Sequence, residues 1–94
     1  MNVTLNLYAT FRQVAGVKSL TLDLPQASRV LDMLEAVCIQ HPAMRPQLFD
    51  VEGKLFGHIH LFINKRDITY LPDGLAHELF PQDTLDIFPP VGGG

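Results

Sequence analysis

Leu85-Asp86-Ile87-Phe88-Pro89-Pro90-Val91-Gly92-Gly93-Gly94 is the stretch on which the reading of this chain turns. Leu85 and Ile87 alternate with Asp86 and Phe88, a period of two that marks a strand with one buried face. Pro89-Pro90 closes it, because proline has no N–H to give to a ladder. The glycines beyond are not required by any folding argument. Glycine lacks Cβ, so its backbone can enter a narrow channel, and a terminal glycine offers an unhindered carboxylate. That carboxylate, on Gly94, is the candidate reactive group. The six residues from Pro89 to Gly94 reach roughly 20 Å when extended, stiff at the prolines and pliable at the glycines. Three glycines alone would read as a frayed terminus; what precedes them has to decide.

Working back from that strand, Val3, Leu5 and Leu7 alternate with polar residues, as do Leu20, Leu22 and Leu24. Two opening strands follow from this, with Val14 to Lys18 as the turn of a hairpin. Pro25 ends the second. Ser28 is a plausible N-cap, and Val30, Leu31, Leu34, Val37 and Cys38 fall on one helical stripe that ends near His41-Pro42. Ala43 to Gly57 has no clean period and reads as an irregular connection pinned by Leu48, Phe49 and Leu55. Ile59, Leu61 and Ile63 mark a third strand. A turn at Asn64-Lys65-Arg66-Asp67 leads to a short fourth around Ile68 to Tyr70, and Leu71 to Asp83 reads as a loop with a helical turn.

With 94 residues the chain is one domain, and 47% hydrophobic against 18% charged residues excludes a disordered segment. A net charge of −3 argues against a nucleic-acid binder. The sign is uneven. Residues 1–66 hold all seven Lys and Arg and five acids, and residues 67–94 hold five acids alone, so the C-terminal end reads as a solvated acidic face or one steered toward a basic partner. One cysteine excludes an internal disulfide or thiolate cluster and fits a reducing compartment. No signal-like or membrane-length apolar run is present, and the expected location is the cytoplasm.

Strand, strand, helix, strand, short strand, strand is an α+β order in which one main helix covers one face of a mixed sheet of about five strands. With Phe88-Pro89-Pro90-Val91-Gly92-Gly93-Gly94 behind it, this order resembles the ubiquitin-like β-grasp sulfur carriers of the MoaD/ThiS family. Pro42 to Asp50 (PAMRPQLFD), Ile63-Asn64 with Arg66-Asp67-Ile68, and Asp73-Gly74-Leu75 resemble that family as well. Two positions depart from it: Lys65 stands where many relatives have Gly after the asparagine, and Gly92 replaces a small residue that is often Ala or Thr. The resemblance implies a β-grasp domain over residues 1–91 and a flexible glycine tail over 92–94. It implies a carrier, not an enzyme. An E1-like activating enzyme would use ATP to adenylate Gly94, and a sulfurtransferase or other sulfur donor would convert the adenylate to a thiocarboxylate. Gly92 and Gly93 would be recognised as the tail threads, and an acceptor synthase, as in molybdopterin formation, would take the sulfur. The alternatives are a ubiquitin-like modifier joined through its terminal glycine and a β-grasp interaction domain that is never activated.

Elsewhere no enzyme constellation stands out. Cys38 reads as core packing. His58 and His60 read as solvated strand residues without a third metal ligand, and His41 and His77 as surface residues. Asp67, Asp73, Glu78, Asp83 and Asp86 are expected in turns and exposed strand positions, and Lys65-Arg66 in a solvated turn. If the alternating aliphatics face the helix, then Tyr8, Phe62 and Phe88 lie on the opposite face, and in the family's strand order they line up as a partner interface unless the Ala43–Gly57 connection covers them.

Overall fold

The computed structural model describes residues 1–90. Five strands form one sheet in the order β2-β1-β5-β3-β4: β1 Asn2–Leu7, β2 Ser19–Asp23, β3 His60–Ile63, β4 Arg66–Asp67 and β5 Thr84–Phe88. β1 and β5 run parallel at the centre, and every other pair is antiparallel. The helix α2, Val30–Gln40, lies across one face. The α+β reading, one main helix on a mixed sheet of five strands, holds.

The core is the contact between that helix and the inward residues of the strands. Val3, Leu5, Leu7, Leu22, Leu61, Leu85 and Ile87 are all at most 2% exposed, as are Val30, Met33, Leu34 and Val37 from α2. Cys38 is buried with them, and burial pushes its thiol pKa up, away from the reactive thiolate. The connection from Ala43 to Gly57 contributes Met44, Leu48 and Phe49 to the core. It does so through a 3-10 turn, Pro42–Met44, and one turn of helix, α3 Arg45–Leu48. Phe49 then bridges Leu55.

Several local expectations are corrected. A six-residue helix, α1 Thr10–Ala15, sits between β1 and β2 where a simple turn was expected, ending at Gly16 with φ 78° and burying Phe11. Ser28 is not the N-cap: its hydroxyl donates to Pro25 O, and the cap residue is Arg29, whose N–H donates to the Asp32 carboxylate at 2.8 Å. Leu31 is 41% exposed, and Met33 takes its place in the core. The short fourth strand is Arg66–Asp67, two residues earlier than expected. Ile68–Tyr70 is instead a 3-10 turn capped by Asp67, which accepts from Thr69 N at 2.9 Å.

Candidate functional site

Strand register sorts the outer face of the sheet into rows. Thr21, Thr4 and Thr84 form a polar row with Asn64, whose carboxamide oxygen accepts from Thr84 N. Next come Ser19, Asn6, Asp86, Phe62 and Asp67. The last row, nearest the point where the chain leaves β5, is Tyr8, Phe88 and His60. One end of the face is therefore hydroxyl and amide, and the other is aromatic.

The structure brings Tyr8, Phe62 and Phe88 together. Tyr8 stacks on Phe88 with ring centroids 4.2 Å apart and an interplanar angle of 14°. Phe62 meets Phe88 edge-on, at 5.8 Å and 88°. All three are half-buried. With Lys65 and Asp86 they line a recess of about 250 Å³. The Ala43–Gly57 connection packs on the helix side and contributes nothing to this lining. A larger groove of about 610 Å³ opens on the helix side between Leu31, Phe49, Leu55, Ile68 and Leu75, sharing only His60 and Asp67 with the outer rows.

Asp86 overturns an expectation. Its backbone position is outward, yet the residue is 3% exposed. Tyr8 Oη donates to it at 2.9 Å, Asn6 Nδ2 at 3.0 Å and Lys65 Nζ at 3.5 Å. Burial alone would raise its carboxyl pKa; the donors from Asn6 and Tyr8 and the Lys65 charge outweigh it, and the net displacement is downward. The same bond pushes the Tyr8 hydroxyl pKa up, because losing its proton would set two anions side by side. Asp86 is thus an internal anchor and not a steering charge. Asp83 is also engaged, accepting from Asn64 Nδ2 and Phe80 N. Lys65 is likewise more than a solvated turn residue, since it pairs with Asp86.

His58 and His60 are exposed, with His58 outside β3, and His41 and His77 are half-buried. Among the described residues no group of three or more His, Cys, Asp or Glu could hold a metal. Nor is any described helix long and apolar enough to cross a membrane. Gly92, Gly93, Gly94 and the last residue of the expected domain, Val91, lie outside the described residues. The anchor at Asp86 was missed because alternation gives the direction of a side chain and not how deeply its neighbours bury it. The available signal was Lys65 itself, a long cation at a turn position that favours glycine.

One main helix across a mixed sheet with parallel central strands, an open aromatic face and a glycine-rich sequence after the last strand together define a ubiquitin-like β-grasp carrier or modifier. The chain belongs to the ThiS family, whose model matches residues 5–94. It is 32% identical to small archaeal modifier protein 3 of Haloferax volcanii over 94 residues, covering 100% of both chains. It is 28% identical to the human molybdopterin synthase sulfur carrier subunit, over 93% of this chain and 88% of that one. The crystal structure of SAMP1 from Haloferax volcanii superposes with a TM-score of 0.90 at 30% identity, covering 100% of both chains. These relatives are small carrier and modifier proteins.

Proposed function

We propose that this chain is a cytoplasmic sulfur carrier whose Gly94 carboxylate is activated by a partner enzyme and converted to a thiocarboxylate. The observation that carries this reading is the family match running to residue 94 on a β-grasp domain whose last strand leads out of an open aromatic face. A free carboxylate is a poor electrophile. An E1-like enzyme therefore supplies ATP, the Gly94 carboxylate attacks its α-phosphorus, and pyrophosphate leaves. The terminal sulfur of a sulfurtransferase persulfide then attacks the acyl-adenylate and AMP leaves. A thiol reductant cleaves the acyl disulfide so formed and frees the thiocarboxylate, whereas sulfide from another donor displaces AMP to give it directly. The thiocarboxylate carries the sulfur to an acceptor synthase. ATP belongs to the activating enzyme, and the carrier itself holds no cofactor. Its own work is mechanical: Tyr8, Phe62 and Phe88 dock, while Gly92 and Gly93 pass through a channel too narrow for side chains.

Intact-mass measurement after incubation with the cognate activating enzyme, ATP and a sulfur source tests this. The expected result is a gain of one oxygen-to-sulfur exchange, absent when Gly93 and Gly94 are deleted, with an unchanged melting temperature. Full activation of the truncated chain overturns the reading. A second reading has support in the relative named as a modifier, which matches over the full length of both chains: the activated Gly94 acyl group passes to a lysine amine of a target protein. Tandem mass spectrometry for a Gly94–lysine isopeptide distinguishes it.

A further inference from the structure

Lys65 has φ 70° and Asn64 before it φ 48°, the left-handed geometry of a two-residue hairpin turn whose second position favours glycine. A lysine holds that backbone at a steric cost. Strain of this kind persists where the surroundings impose it, and it concentrates at functional sites. In return, the lysine places an ammonium beside the aromatic recess. Its Nζ lies 3.5 Å from Asp86 Oδ2, with the lysine side chain 83% exposed and the aspartate side chain 5%. The ammonium has three donors and presents to solvent those that Asp86 does not engage. The guanidinium of Arg12 lies 5.4 Å from the Tyr8 ring centroid, with Nε donating to Leu7 O. Arg12 forms no salt bridge among the described residues.

The two acids of this face are both engaged within the chain. Asp86 is buried and accepts from Tyr8 Oη, and Asp67 accepts from Thr69 N and Oγ1. At the aromatic end the Lys65 side chain is 83% exposed and its Asp86 partner 5%, so the charge that a partner meets there first is the ammonium, although the chain as a whole carries −3. The recess of about 250 Å³ is smaller than the roughly 300–1,000 Å³ of a small-molecule site, so it suits a partner side chain and not a cofactor.

We propose that Lys65 and Arg12 form the cationic rim of the docking face, and that its partner is a protein surface presenting an apolar side chain to the recess and a carboxylate to Lys65. The inference rests on the carrier reading, with the activating enzyme as the partner, and it reverses the basic partner that the acidic C-terminal end favoured. Desolvated aromatic contact holds the complex, and the rim sets the rate of encounter.

Stopped-flow association with the purified cognate activating enzyme, at low and physiological salt, tests it on the full chain, with thiocarboxylate yield measured in parallel by intact mass. Lys65→Glu should slow association about tenfold at low salt, the difference narrowing as salt rises. Lys65→Gly relieves the turn and keeps the fold, and it should slow association as well. Lys54→Glu makes the same charge change in the connection, away from the recess, and should stay within about twofold of the parent. Equal slowing by Lys54→Glu and Lys65→Glu, or faster association of Lys65→Glu, overturns the proposal. If association depends on Lys65 but no adenylate or thiocarboxylate forms, the carrier reading fails and the docking surface stands. If the parent chain is activated and the Lys65 variants associate unchanged, the docking surface alone fails.

Discussion

Neighbouring residues of β5 solve different problems. Leu85 and Ile87, both 0% exposed, face α2 and belong to a core in which apolar side chains fill a common volume. Asp86 and Phe88 face the other way, and each has named partners: Asn6, Tyr8 and Lys65 for the carboxylate, Tyr8 and Phe62 for the ring. The inner face tolerates exchange among apolar residues of similar volume. The outer face depends on particular atoms at particular distances. Apolar packing and specific polar and aromatic contacts are thereby placed on opposite sides of one strand, which lets the outer side be polar and aromatic without interrupting the core.

Substitutions that separate the two faces put this contrast at risk. The largest effect belongs to the core: Leu61→Ala should cost about 2–5 kcal/mol in denaturant unfolding, a large part of the roughly 5–15 kcal/mol that a small domain has. Asp86→Ala should come next, at about 1–3 kcal/mol, because it strands the Asn6 amide and Tyr8 hydroxyl donors. Phe62→Ala loses an edge-to-face pair on a half-buried face and should cost about 0.5–1.5 kcal/mol. Equal losses for Leu61→Ala and Phe62→Ala would erase the distinction between the faces.

The smallest effect is a change of slope with pH. The Asp86 carboxyl lies below its ordinary value in the folded chain. Its stabilising contribution is therefore complete above the usual carboxylate range and is lost as the pH falls through the folded pKa. Asp86→Asn should flatten the acid side of the stability profile while leaving one acceptor for Tyr8. An unchanged acid limb, followed by circular dichroism, would show that Asp86 is not held in its charged form.

Alternation located β1, β2, β3 and β5, since burial on one face imposes a period of two whatever the neighbours are. It failed where the period was too short or was overridden. The six residues of α1 make fewer than two turns. Ile68-Thr69-Tyr70 has strand-forming residues, but the Asp67 side chain takes the Thr69 N–H and bends the backbone into a 3-10 turn. On α2 the apolar spacing admits either Leu31 or Met33, and packing chose Met33. Of the candidate site, the aromatic cluster follows from alternation plus the family's strand order. The buried Asp86 does not, because alternation predicts direction and not depth; rings and donors from other strands supply the burial.

The parallel pairing of β1 with β5 has a consequence for how the molecule is made. Asn6 and Asp86 are 80 positions apart, so the central seam of the sheet cannot close while the chain is still emerging. Until then β1 has only β2 beside it. The segment that closes the seam, Thr84–Phe88, also completes the aromatic cluster and forms the root of the tail. A product of interrupted synthesis that stops before it lacks all three together. Closing the sheet and completing the aromatic face become the same event, because one strand, Thr84–Phe88, does both.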